Sequence, residues 1–565
     1  MRASTAVVAA IIAGAMLIAG CAKTEPGQGD ARRGQSETST QSRTVVIAFR
    51  NESTTLAPKI QDAVSRGNKE LFNATLTGRD TKNVPQPWLA DALPELRTDS
   101  WRVFPDGQME TTYRLRPGLT WHDDQPLTAD DFVFAWRVYT DKGLGVFRPQ
   151  PQNQMQEVLA PDPRTIVVRW DSPYPDADIL THELPPLPRH ILEQPFADYQ
   201  STAAARDSFL NHPYWTTEYV QLGAYRLTAW EPNVALYAEA FSGYVFGRPR
   251  IDRLIARIMS DENTVLTNLL AGEVQLATPT ALRFQHGLVL QRDWVPAKRG
   301  TVFWAPSGNP QNAVFQFRSE YQKTPALFDI RVRKALNYAI DRQAILDGLF
   351  EGQGVIAYTA VEYDDPVYAE VNRVITKYPY DQRMAETLMN EGGFSKDSQG
   401  FFADRSGERF RPDFQALAGE TFERHQAIMA ETWARAGIET VTSTITTSQQ
   451  RDLVNRNTFP GIGQVGGANY ATEQSGSPEN RWTGRNLGGF SHPAYDALWQ
   501  AFNTTLERPE RNRLQVEMAR FETEQVPGMM LYFNANGIAY ATGLRGPADT
   551  VAANLFWNLH EWELW

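Results

Sequence analysis

Several stretches of the 565-residue sequence bring chemically capable side chains together at suggestive spacings. Gly461-Ile462-Gly463-Gln464-Val465-Gly466 fits G-x-G-x-x-G, a pattern in which backbone N–H groups can approach a pyrophosphate. Here it follows Phe459-Pro460 instead of a clear strand, and Ser475-Gly476-Ser477-Pro478 leaves no room for the helix that should come next. Where an acidic ribose ligand belongs, the chain has Arg485 and Asn486. The stretch reads as a mobile glycine loop. His182-Glu183 starts like a zinc-protease helix, but Pro185 and Pro186 forbid that helix and no second histidine follows. His560-Glu561 has Leu564 where its second histidine belongs. His122-Asp123-Asp124 carries metal-ligating types, yet neighbours in a turn read as a solvated loop. No G-x-S-x-G elbow occurs. No catalytic constellation, cofactor site or metal site is expected.

The elements that hold these residues alternate between strand and helix. Val45-Val46-Ile47-Ala48-Phe49 is a continuous apolar run, as a strand buried on both faces requires, and Asn51 to Thr55 leaves it as a polar loop. Arg116-Pro117-Gly118-Leu119 suits a type II turn, with proline presetting φ and glycine accepting φ > 0. Thr128-Ala129-Asp130-Asp131 is a capping box that opens a helix bearing Phe132, Val133, Trp136 and Tyr139. Strands are expected at 165–170, 223–227, 235–237 and 251–258. A helix stopped by Gly272 and a short strand to Ala277 then make a βαβ-like return. From about residue 325 helices dominate. Asp329, Asp341 and Asp381 are their caps, a helix ending at Gly437 feeds a strand over 439–445, and Met529 to Phe533 is a buried strand. The alternation argues for an α/β protein.

Bulk properties narrow the class. The formal charge of −11 leaves no electrostatic footprint for nucleic acid. A chain this long exceeds one ordinary core, and most of its 15 tryptophans are expected inside. Its single cysteine, Cys21, allows no disulfide within the chain. Arg2, the apolar stretch from Ala6 to Ile18 and the small residues after it have the layout of a secretory signal. Ile18-Ala19-Gly20-Cys21 resembles the lipobox of bacterial lipoproteins, which implies a signal peptide over 1–20 and a lipidated cysteine. Residues 21–43 are polar and read as a flexible tether.

Ordered blocks carry a wider resemblance. Tyr113-Arg-Leu-Arg-Pro-Gly-Leu-Thr-Trp-His-Asp-Asp-Gln-Pro-Leu-Thr-Ala-Asp-Asp-Phe-Val-Phe-Ala-Trp136 is followed by Gly223-Ala-Tyr-Arg-Leu227 and Ala271-Gly272-Glu273. Ile330 to Arg342, Gly437-Ile438 and Ser491-His-Pro-Ala-Tyr-Asp496 come after them. Over roughly residues 45 to 550 this order resembles the peptide/nickel class of extracytoplasmic solute-binding proteins that feed ABC importers. Asp124 departs from it, standing where glycine is usual; aspartate tolerates the left-handed turn better than most residues.

The resemblance implies a two-lobed periplasmic-binding-protein-like fold (type II, the large class with an extra subdomain) that closes by a hinge. Lobe one would comprise 44–75, 216–304 and 531–565, with the extra subdomain at 76–215, and lobe two 305–530. It further implies an extracytoplasmic, lipid-anchored monomer that hands oligopeptides to an ABC permease and its ATPase subunits. The aromatic-x-x-Asp element that takes a peptide amine in oligopeptide-binding relatives has no aspartate here. The matching stretch offers Tyr470, Trp482 and Arg485, which can stack on and pair with a ligand. Asn51, Glu52, Phe303 and Trp304 join the candidates by expected cleft position. An oligosaccharide or other polar solute is the alternative ligand; a transport-independent sensor or a hydrolase is the alternative role.

Overall fold

The computed structural model describes residues 43–58, 69–144, 151–199, 201–464, 469–547 and 555–565. Cys21, the signal segment and nearly all of the tether lie outside the described residues. At the centre of an 11-stranded sheet, Thr44–Phe49 is flanked on both sides by parallel neighbours, Arg253–Ile258 and Leu276–Ala277. Its apolar run meets the demand of a strand covered on both faces. Between those neighbours runs the helix Glu262–Ala271, with Asp261 accepting from the Thr264 N–H and Gly272 closing it at φ 81°. This is the predicted βαβ return.

Two long strands carry the chain between the two halves of the sheet. Gly300–Phe315 and Gly528–Ala541 pair antiparallel from Gly300↔Ala541 to Val314↔Gly528, and the register breaks between Pro306 and Pro310. The cores divide at the same level. Ala305 and Ile538 belong to the cluster holding Val45 and Leu254, whereas Ala313 and Leu531 belong to that of Leu336 and Trp433. Beyond the break the sheet continues through Ile462–Gly463, Asp413–Leu417 and Val441–Ile445. The result is the expected two-lobed α/β fold. Helices of the second half start where their caps predict: Asp329, Asp341 and Asp381 each accept from a first-turn N–H.

A second, four-stranded sheet is built from Trp101–Val103, Met109–Arg114, Thr165–Trp170 and Met155–Asp162. Its Tyr113 and Trp170, with Phe132 of the helix Ala129–Thr140, join the same hydrophobic cluster as Val45, so this sheet and the first half share a core. The turns follow the sequence reading, with Gly118 at φ 73° and Asp124 at φ 65°. Asp131 accepts from the Thr128 N–H at 2.9 Å and, beyond the capping box, from the Arg189 N–H at 3.0 Å, so one carboxylate secures two helix starts. No helix among the described residues is long and apolar enough to cross a membrane.

Three local expectations are corrected. His122 is buried, not solvated: Nε2–H meets the Gly223 carbonyl at 3.0 Å, and Nδ1 accepts from the Gln221 N–H at 3.4 Å. Only Asp123 and Asp124 of that trio are exposed. Ile462–Gly463, read as part of a mobile loop, is a buried strand between Asp413–Leu417 and Gly300–Phe315. Its glycines answer to packing, since a β-carbon on Gly461 would come within 2.7 Å of the Asp413 carbonyl oxygen. Val465 and Gly466 lie outside the described residues. The polar loop after the first strand also turns inward, with Ser53 and Thr55 buried and Thr55 Oγ1 donating to the Trp215 carbonyl at 2.7 Å.

Candidate functional site

Strand direction picks out a candidate cleft. Thr44–Phe49, Arg253–Ile258 and Leu276–Ala277 run the same way, so their carboxyl ends leave the first half together. Asp413–Leu417, Val441–Ile445 and Ile462–Gly463 are mutually parallel and run opposite to Gly300–Phe315. Gly300–Phe315 is itself parallel to Thr44–Phe49, because two antiparallel pairings separate them. The two sets of carboxyl ends therefore face each other across the break at Pro306–Pro310. Ligands of α/β proteins bind at such ends.

On the first wall, Asn51 is exposed just past the strand end. Glu52 is committed to its own half. Its Oε1 accepts from Trp230 Nε1 at 2.5 Å, and both carboxylate oxygens accept from the Asn233 N–H at 3.0–3.1 Å. That holds the hairpin turn at Asn233, which sits at φ 60°. Beside it, Glu262 joins Arg50 at 2.8 Å and Arg283 at 2.9 Å. Burial pushes the Glu262 carboxyl up, but its backbone hydrogen bond and these two cations together hold it below its usual range.

Phe303 and Trp304 lie on the crossing strand and alternate between its faces. Phe303 packs with Tyr540 toward the first core, whereas Trp304 packs at a tilt against Phe284, ring centroids 4.6 Å apart, and donates to Gln291 Oε1 at 3.1 Å. Phe284 in turn meets Phe350 edge-on at 5.4 Å, so Phe284–Val289, a helix of the first half, docks on the core of the second.

On the second wall, Tyr470, Trp482 and Arg485 share one loop, and only Arg485 is exposed. Arg318, which sequence reasoning missed, organises that loop from within. Its guanidinium donates to the carbonyls of Asn457 (3.1 Å), Gly476 (2.9 Å) and Leu487 (2.9 Å) and to Ser475 Oγ (2.9 Å). It also lies 5.7 Å from the Trp482 ring centroid, a cation–π contact. Burial lowers its pKa. Tyr470 is buried behind the loop, and its hydroxyl has no hydrogen-bond partner among the described residues. With Arg342 and Glu522 it lines a small internal cavity. The seven sequence candidates thus do not converge on one point: they are distributed over two walls and the strand between them.

The structure brings a different pair to the centre. A β-carbon placed on Gly308, within the register break, would sit 3.6 Å from Asp364 Oδ1 and 3.7 Å from Glu362 Oε2. The Tyr363 N–H donates to the Gly308 carbonyl at 3.1 Å, and Asn83, between the strands Thr77–Arg79 and Pro85–Pro87, reaches the Asp364 carbonyl at 3.5 Å. Asp364 Oδ1 is buried without a hydrogen-bond partner among the described residues, and burial raises the carboxyl's pKa. Glu362-Tyr363-Asp364-Asp365 had no spacing signal to single it out; only the fold sets it against Gly308. Chemically the arrangement offers carboxylates, peptide groups at strand ends and aromatic faces, the means of binding an extended polar molecule.

The family model of bacterial extracellular solute-binding proteins, family 5 (middle), matches residues 85–484. Protein XP55 of Streptomyces lividans is 28% identical over 400 residues, 70% of this chain and 65% of that protein, just under two thirds of its length. Oligopeptide-binding protein AppA of Bacillus subtilis (strain 168) is 21% identical over 516 residues, 89% of this chain and 88% of that one. The oligopeptide binding protein of Thermus thermophilus, solved with a pentapeptide, superposes with a TM-score of 0.68 at 20% identity, covering 92% of this chain and 96% of that chain.

Proposed function

Because the chain belongs to the bacterial extracellular solute-binding proteins of family 5, we propose that it captures oligopeptides between its lobes and delivers them to an ABC permease and its ATPase subunits. The observation that carries this reading is the opposition of two sets of strand carboxyl ends across the crossing strands, with Glu362 and Asp364 gathered at the break. An extended peptide needs backbone partners along its length and an anion for its α-amine. Strand ends answer the first need. Asp364, with Glu362 beside it, answers the second in place of the missing loop aspartate. The oligopeptide-binding relative and the pentapeptide complex agree with this ligand class. Asn51 and Arg485 are proposed as outer contacts, because both are exposed.

The register break supports a lobe boundary near residue 305. Cluster membership of Tyr532 and Ala535 on one side and Ile538 on the other supports placing the return crossing a few residues later than 530. Cys21 is proposed as the acylated anchor of a monomeric receptor, with the tether behind it.

Peptide pools of defined length, screened by thermal shift and native mass spectrometry, test the ligand class. Binding is expected, and Asp364→Asn should weaken it tenfold or more while N-acetylated peptides bind the parent protein poorly. A charge-assisted hydrogen bond of about 1.5–3 kcal/mol sets that scale. Indifference to every pool, with a shift by oligosaccharides instead, would remove the peptide reading.

A further inference from the structure

The closing of the two halves has a second point of contact, away from the crossing strands. The helix Arg508–Gln525 contributes Met518 and Phe521 to a cluster of the second half, together with Tyr470 and Tyr495. Its first turn nevertheless reaches the inserted subdomain. Arg511 holds Asp176 with both nitrogens of its fork, Nη1–Oδ1 at 2.5 Å and Nη2–Oδ2 at 2.9 Å. Arg508 Nη2 meets Asp178 Oδ2 at 2.7 Å, and Glu507 pairs with Arg97. Leu506, one residue before, packs on the cluster that contains Trp101 and Val45. Asp176 and Asp178 flank Ala177, a member of that same cluster. The Asp176–Arg511 and Asp178–Arg508 pairs therefore each join a residue beside the first cluster to a helix rooted in the second half.

We infer that Arg508 and Arg511, with Asp176 and Asp178, form an electrostatic latch that sets the balance between open and closed forms before any ligand binds. This rests on the two-lobed receptor reading and deepens it. The charge order is complementary along the contact, with a cation and two anions on the subdomain facing an anion and two cations on the helix. The pairs are also poorly satisfied. Asp178 Oδ1 and Arg511 Nε are buried without hydrogen-bond partners among the described residues. Burial pushes the Asp178 carboxyl up even though Arg508 pulls it down. Each pair joins a shielded partner, Asp178 or Arg511, to a wetter one, Arg508 or Asp176, so desolvation and solvent screening both keep the gain small. The latch is accordingly near balance, as a reversible closure requires. The helix is 18 residues long, about 27 Å, and leads directly to Gly528 at the start of the second crossing strand. It can act as a lever between latch and hinge.

Hydrogen–deuterium exchange of the full-length, ligand-free protein tests the inference. Raising salt from about 50 to about 500 mM shortens the screening length from roughly 14 to 4 Å. In the parent protein this should speed exchange at the facing strand ends, 278–284 and 418–421, several-fold. Arg508→Gln with Arg511→Gln should produce the same increase at low salt and abolish the salt response. The exchanged pair Asp176→Arg with Arg511→Asp should restore slow exchange. An increase confined to 173–180 and 503–512 would make the contact a local staple and overturn the latch, as would failure of the exchanged pair to restore protection. Peptide screening is independent of this outcome, so failure of the latch and failure of the ligand assignment are distinguishable.

Discussion

Glu522 shows what burial does to a single charge. It lines the internal cavity with Arg342 and Tyr470, accepts from Tyr495 Oη at 2.6 Å, and has its carboxyl pushed up to about 7 by burial. The Tyr495 hydrogen bond pulls the other way but loses. A carboxyl whose folded pKa lies above its unfolded value binds protons more tightly when folded. Its contribution to stability is complete below about pH 4.3 and disappears as pH rises toward 7. Glu522→Gln, which keeps the acceptor for Tyr495, should therefore flatten the loss of stability between about pH 5 and 8. The removed loss is at most about 3 kcal/mol, readable as chemical denaturation midpoints at several pH values. An unchanged pH slope in the variant would show that Glu522 ionises freely. His122 behaves in the complementary way: burial lowers its pKa to about 4, so it stays neutral and keeps Nε2–H on the Gly223 carbonyl.

Gly223, the other partner in that contact, shows how an element is held. A β-carbon there would fall 2.1 Å from the Phe72 carbonyl carbon and 2.5 Å from the Asn73 nitrogen, both backbone atoms with nowhere to move. The Gly223 N–H donates to the Phe72 carbonyl at 2.9 Å, so the chain needs this close approach. Gly223→Ala is expected to cost about 1–3 kcal/mol and to loosen His122, seen as a lower Tm and faster exchange around residues 69–76. An unaltered Tm would refute the packing argument. Helix starts were legible at this scale because a cap needs only its own first turn: Thr128, Asp329, Asp341 and Asp381 all hold as read. The crossing strand was not legible in that way. Pro306-Ser307-Gly308-Asn309-Pro310 looks like an interruption, and only pairing with Gly528–Ala541, more than two hundred residues later, makes one strand of it.

For the molecule as a whole, the 11-stranded sheet runs through both halves while the two largest hydrophobic clusters divide between them. The register break is the expected site of rotation in the proposed receptor, and the proposed latch and the Phe284 helix are the contacts that such rotation must make or release. In the proposed receptor, Cys21 adds a second whole-molecule property, confinement at a membrane near its partner. Cys21→Ala should move the protein from the membrane fraction to the soluble extracytoplasmic fraction without altering peptide affinity. Retention in the membrane fraction, or weakened binding by the purified variant, would refute the anchor.

The sequence by itself determined what depends on neighbours along the chain: caps, turns, the apolar first strand and the order of blocks that resembles the family. Asp124 in its left-handed turn is a fair example, since one residue's φ preference was enough. Tertiary structure alone decided which side chains meet. It buried His122, drew Ile462–Gly463 into the sheet, committed Glu52 to a hairpin, set Arg318 under the loop of Trp482, and brought Glu362 and Asp364 against Gly308. The physical reason is range. A cap or turn is stabilised by bonds a few residues apart, whereas desolvation and convergence of charges depend on segments that only long-range strand pairing brings together.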